Sequence, residues 1–220
     1  MAAALHQLDP APDLVDRAYR AVLDAIASGS LAPGQRLTQE ELALRLNVSR
    51  QPVLQALRLL KNEGLLEVAP GRGLQVTGLD TARVVHTYQV RGALDALAAR
   101  LAAERQAVLP AALLKAGRAA RRSGDVQALI DADINFHRAL YAASGNPFIE
   151  RSAQIHWAHI RRAMGAVLQH HRLRQPVWDE HEAIAQAVAR GDAEAAAAAA
   201  AAHAHQAGLT MAQRLNHPRP

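Results

Sequence analysis

The chain has 220 residues, 50% hydrophobic but only 3% aromatic, with no cysteine and a formal charge of +5 from 25 basic and 20 acidic side chains. That length admits one large domain or two small ones, and the lack of cysteine excludes disulfides and thiolate metal sites, in keeping with a reducing cytoplasm. So few aromatics leave Ala, Leu, Val and Ile to fill a core, which suits packed helices better than a β-sandwich. The opening MAAALHQLDP lacks the basic start and long apolar run of a signal peptide, and no stretch reaches the length of a membrane span. A cytoplasmic protein without a membrane partner is expected. The basic excess is compatible with nucleic acid but does not select it.

Residues 1–11 read as a loose tail. From Asp13 to Ser28, Leu14, Ala18, Ala21, Val22 and Ala25 predict an amphipathic helix that ends near Gly29. Thr38 followed by Glu41 is a capping box, opening a short helix through Leu42, Leu44 and Leu46. Asn47-Val48-Ser49 then connects tightly to a second helix, with Ser49 as its N-cap and Gly64 as its stop. Val53, Ala56, Leu57 and Leu60 share one side of that helix; Arg50, Gln51, Leu54, Gln55, Arg58 and Lys61 share the other. Leu66–Val68 and Leu74–Val76 flank Pro70-Gly71-Arg72-Gly73, a small hairpin with a basic tip. Two amphipathic helices alone would make an ordinary helical hairpin. The caps, the basic outer face and the hairpin wing, in that order, predict a winged helix-turn-helix whose second helix enters a DNA major groove.

A domain boundary is expected at Gly78-Leu79-Asp80, dividing a DNA-binding unit over 12–79 from a helical unit over 80–215. Asp80 or Thr81 caps a long helix to about Ala103, with Val90, Leu94, Leu97 and Leu101 as the expected core stripe and Tyr88, Arg91, Asp95 and Ala98 beside it. Leu109 to Arg122 is a shorter helix with basic residues at its end. Asp125 caps another to about Ser144, and Pro147 begins the next, which runs through Trp157 and Met164 to about Arg174. Pro176 starts a helix ending at Gly191. Asp192 caps the last, which passes through eight consecutive alanines, Ala195 to Ala202, towards Leu215. The expected fold class is mainly α: an N-terminal winged helix-turn-helix with a small β-hairpin wing, then a C-terminal all-α helical bundle.

Packing does not account for one pattern in the bundle. The inward stripe Val126, Ile130, Asp133, His137, Leu140 places a carboxylate and an imidazole on consecutive buried turns. Left unsatisfied, each costs roughly 1–3 kcal/mol. His181 sits likewise on the stripe Val177, His181, Ile184, Val188, and His203 interrupts the alanine face of the last helix. Three helices aiming such ligands at one interior suit a divalent metal ion, Zn or Ni in type. With 11 histidines in the chain, single ones are ordinarily core or surface residues, and His156, His159, His170 and His171 are read that way. His205 competes with His203 for the last ligand place.

The run SGSLAPGQRLTQEELALRLNVSRQPVLQALRLLKNEGLLEVAPGRGLQV resembles the N-terminal winged-helix domain of the GntR family of bacterial transcription regulators. The likeness covers about Asp13 to Leu79. It implies DNA contacts by Ser49, Arg50, Gln51 and Gly71, beside the basic-face positions Leu54, Gln55, Arg58 and the wing's Arg72. Many members carry arginine where this chain has Glu40 and Leu54, so the operator sequence does not carry over. The segments VRGALDALAARLAAE, DINFHRALYAASGNP and EHEAIAQAVARGDAEAAAAA resemble the FCD domain of the FadR subfamily. That family's metal-binding order and spacing match Asp133, His137, His181 and His203, and do not match His205. The resemblance further implies a small organic acid effector beside the metal, with Arg91 lining its cavity; otherwise Arg91 pairs with Asp95 one turn along. The expected function is a metabolite-responsive regulator, a repressor, whose homodimer binds a near-palindromic operator in double-stranded DNA. The alternatives are a metal-dependent hydrolase and a DNA-binding protein whose metal is purely structural.

Overall fold

The computed structural model describes residues 13–71, 73–169 and 176–216. The tail expected over 1–11, Arg72 of the wing and the helix end placed near Arg174 lie outside the described residues. Contacts divide the chain into two compact units: the segment up to Ala25 with Gly34–Thr77, and Ile26–Pro33 with everything from Gly78 onward.

The first unit carries α1 (Leu14–Ala27), β1 (Arg36–Leu37), α2 (Gln39–Leu46), α3 (Arg50–Asn62), β2 (Leu66–Val68) and β3 (Leu74–Val76). The strands form an antiparallel sheet in the order β1-β3-β2, with Leu66 opposite Val76 and Arg36 opposite Gln75. β1 has no counterpart in the sequence reading, because two residues are too short to show an alternation. Its Arg36 guanidinium donates to the Pro70 carbonyl at 2.5 Å and so braces the wing. The Thr38 hydroxyl accepts from the Glu41 amide, as the capping box requires, and Asn47 makes the turn between helices in left-handed geometry (φ 51). Val53, Ala56, Leu57 and Leu60 of α3 are buried. In α1 the buried row includes Ala18 and Val22, while Leu14 and Ala21 are exposed, so the apolar face is rotated from the expected one.

The second unit contains α4 (Thr81–Glu104), α5 (Ala111–Ser123), α6 (Val126–Ser144), α7 (Pro147–Leu168), α8 (Val177–Ala189) and α9 (Ala193–Asn216), and no strand among the described residues. Asp80, Asp125 and Asp192 each cap a helix through a carboxylate oxygen, on the amides of Ala82, Ala128 and Ala195. α4 is central: it packs along α9 and also meets α6, α7 and α8.

The inward face of α4 corrects the expectation. Val90 and Leu97 are 45% and 42% exposed, whereas Tyr88, Arg91, Asp95, Ala98 and Ala102 are buried. Two causes turn the helix this way. Small residues let α4 approach α9 closely: a β-carbon at Gly92 would stand 3.3 Å from the Ala204 side chain, and one at Gly208 only 2.7 Å from Tyr88. The Arg91 and Asp95 charges also find buried partners of opposite sign on the inner side, described below.

Gly117 of α5 lies under the fully buried Trp178, where a β-carbon would stand 2.0 Å from the indole ring. Alanine is the better helix former by about 1 kcal/mol. Overpacking typically costs about 1–3 kcal/mol, and the clash here is with a ring that has no space to retreat. Gly117→Ala is therefore expected to destabilise the bundle despite its propensity. A higher urea midpoint for the variant would contradict this packing.

Candidate metal centre and DNA-facing surface

The helical interior gathers the four expected ligands. α6 presents Asp133 and His137 one turn apart, α8 presents His181 and α9 presents His203. All four are buried, and their ligand atoms lie within 4.8 Å of one another. His137 Nε2 and His181 Nε2 stand 3.3 Å apart, and His181 Nε2 is 3.5 Å from Asp133 Oδ1. Two facing imidazole nitrogens either share a proton or both offer lone pairs to a cation. Three borderline nitrogens and one hard oxygen converging in a dry interior are a donor set for a divalent ion, so the residues fit one. His205 is exposed and outside the cluster. His156 and His159 are half-buried on α7 and also outside it, while His170 and His171 lie outside the described residues.

A shell of charge surrounds these four. Arg91 Nε is 3.3 Å from Asp95 Oδ2, and its NH2 is 3.3 Å from Asp133 Oδ2. The pairing with Asp95 expected from the i,i+4 spacing is thus present. The second pairing, with Asp133, was not legible in the sequence. The guanidinium also lies 5.3 Å and 5.4 Å from the Tyr88 and Trp157 ring centroids. The Tyr141 hydroxyl donates to Asp95 Oδ1 at 2.5 Å, and His137 Nδ1 faces Asp95 Oδ2 at 3.3 Å. Burial alone would raise the Asp95 carboxyl; His137, Arg91 and Tyr141 around it hold it well below the usual carboxylate range. Burial and the nearby Arg91 push His137 down, which favours the neutral ring a metal needs.

Glu180 and Tyr141 escaped the sequence reading. Glu180 Oε2 accepts from His203 Nδ1 at 2.8 Å. It lies beside His181 in sequence, off the inward stripe, and nothing in the periodicity marks it.

Tyr88, Arg91, Met164, Thr210, Met211 and Arg214 border a cavity next to the cluster. Only about 20 Å³ of it is open to water, space for about one molecule. Its two methionines are unbranched and can re-pack.

Arg91 is the shared cation of two buried carboxylates. In chelator-treated protein, Arg91→Met is expected to cost about 3–5 kcal/mol, the usual loss when one partner of a buried pair is removed. Urea unfolding measures it, and a loss below about 1 kcal/mol would show that the carboxylates are neutralised by other groups.

In the winged unit, Ser49, Arg50, Gln51 and Arg58 are exposed along α3, while Leu54 and Gln55 are half-buried. Ser49 occupies the N-cap position but makes no side-chain cap, and Pro52 at the third helical position has no amide to donate to it. Arg50 donates to Glu40 of α2 at 2.5 Å. Gly71 is exposed at the wing tip with φ +95, in the region that favours glycine; Arg72 lies outside the described residues.

Residues 86–206 match the FCD domain, and residues 14–76 match the bacterial regulatory proteins of the gntR family. An HTH-type transcriptional regulator from Streptomyces ambofaciens is 33% identical over 180 residues, which cover 79% of this chain and 75% of that protein. The transcriptional repressor RspR of Escherichia coli is 33% identical over 138 residues, 61% of this chain and 60% of that protein. The solved structure of E. coli McbR/YncC aligns with a TM-score of 0.77 at 22% identity, covering 92% of this chain and 99% of that one, a likeness of fold. The Streptomyces and RspR relatives are named as regulators of transcription, and both matching families are regulatory, which sets aside the hydrolase alternative. With a gntR-type winged helix followed by an FCD domain, the chain belongs to the GntR family of bacterial transcriptional regulators.

Proposed function

We propose that this regulator is a metabolite-responsive repressor whose helical domain holds a divalent ion through Asp133, His137, His181 and His203 and answers to a small organic acid. The observation that carries the reading is the convergence of four buried ligand atoms from three helices within 4.8 Å. The ion supplies positive charge in a low-dielectric interior, where an effector carboxylate would be favoured. Arg91 is already paired with Asp95 and Asp133, so an acid entering the adjoining cavity must draw it from one of them and displace Met164 or Met211. Binding is thereby coupled to movement of the bundle. The apolar outer face of α4, with Val90 and Leu97 exposed, supports a homodimer that presents two recognition helices to a near-palindromic operator.

The test is metal analysis of the purified protein, then operator binding across a panel of organic acids. Both tryptophans lie beside the cluster, Trp178 with its ring centroid 4.6 Å from His181 and Trp157 6.3 Å from His137, so Ni²⁺ uptake should quench their fluorescence. His181→Ala is expected to lose the ion and the acid response yet keep operator binding, and His205→Ala to change neither. Protein that takes up no metal at neutral pH, or a His181→Ala variant with a normal response, would sink the proposal. A metal that only braces the bundle would leave operator binding indifferent to every acid.

On the DNA side, Arg50 is read as a contact to base edges and phosphate, and Leu54 as a contact to a thymine methyl. Leu54→Arg is expected to bring a guanine into the preferred site, because arginine bonds the guanine edge and leucine does not. Selection from random DNA with both proteins measures this; identical preferred sites would rule it out.

A further inference from the structure

We infer that Asp95 and Glu180 are positioning residues of the metal centre, fixing which ring nitrogen of His137 and of His203 faces the other ligands. The inference rests on the metal reading above and deepens it. A neutral imidazole has one lone pair, and its tautomer decides on which side that pair lies. His203 Nδ1 stands 2.8 Å from Glu180 Oε2. An ionised carboxylate can only accept, so the ring proton sits on Nδ1 and the lone pair on Nε2. His137 Nδ1 faces Asp95 Oδ2 at 3.3 Å, while its Nε2 faces His181 Nε2 at 3.3 Å. The contact with Asp95 is imperfectly aligned, but neither buried atom has a hydrogen bond elsewhere. In both rings a carboxylate takes the Nδ1 side, and Nε2 is the atom left to bind.

The two arms differ in kind. Asp95 is fully buried and is held by Tyr141 and Arg91 as well, so it is rigid. The Glu180 side chain is 28% exposed, and it precedes His181 on α8 while His203 stands on α9. One helix thus supplies a ligand and, from the residue before it, the clamp on a ligand of its neighbour. Groups that orient a ligating histidine typically change metal affinity about 10–100-fold when removed.

The test uses the full-length, chelator-stripped protein titrated with Zn²⁺ and with Ni²⁺ against a chromophoric chelator. Long-range ¹H–¹⁵N spectra of the histidine rings before metal is added provide a second readout. Glu180→Ala is expected to weaken both ions about 10–100-fold and to mix the His203 tautomers. Glu180→Gln, whose amide oxygen still accepts from Nδ1, should fall between wild type and alanine, and it serves if the alanine variant does not fold. Asp95→Asn should weaken metal binding with the change centred on His137. Wild-type protein that takes up neither ion overturns the metal reading and this inference with it. Metal uptake by wild type, with equal affinity in the Glu180 variants or with His203 already protonated on Nε2, overturns the positioning role alone.

Discussion

The helical unit depends on how it neutralises charge in a dry interior. Asp95 and Asp133 are buried, and Arg91 is the one guanidinium that the described residues place against both. An ionised carboxylate in such surroundings is stable only when paired and hydrogen-bonded. One cation shared by two buried carboxylates leaves an excess of negative charge that a divalent ion would offset. The orientation of α4 follows from the same need. To bring Arg91 and Asp95 inward, the helix must turn Val90 and Leu97 outward, and alanines then fill the inner seam against α9.

That rotation separates what was legible in the sequence from what was not. Helix ends were legible because each has a local cause: Asp80, Asp125 and Asp192 at N-termini, and Gly64 and Gly191 in left-handed geometry just beyond C-termini. The positions of Asp133, His137 and His181 were legible because a polar residue on an apolar stripe is anomalous by periodicity, whereas the choice of His203 over His205 came only from the family resemblance. The face of α4 was misread because hydrophobicity favours leucine inside, whereas close packing against an alanine helix and the pairing of Arg91 favour the adjoining face. Glu180 was invisible for a related reason. It reaches the cluster from off the apolar stripe, and no one-dimensional pattern records a side chain on α8 that orients a ring on α9.

The winged unit differs from the helical one in what its sequence can specify. Its core residues Val53, Ala56, Leu57 and Leu60 only position α3, and the outward residues decide what α3 would read. Glu40 lies 2.5 Å from Arg50, which places a negative charge beside the leading arginine of the helix. Leu54 presents a half-buried apolar side chain one turn further on. Arg58 is exposed on the same face, and the Glu40 partner of Arg50 lowers the positive charge that this face offers to phosphate. Discrimination by such a face would lean more on base edges, methyl groups and the wing.

A response also needs a mechanical path, and α9 is the element best placed to provide it. It carries His203 at the cluster, and Thr210, Met211 and Arg214 along the cavity wall, so filling the cavity or the cluster bears on the same helix. Such an event would not pry α9 from α4: Gly208 packs so closely on Tyr88 that the seam has no slack, and interiors of this density shift between discrete arrangements instead of stretching. The two helices should therefore move together. If copies pair through the outer face of α4, as proposed above, displacement of the α4–α9 pair would alter how two copies meet, and hence the spacing of their recognition helices on DNA.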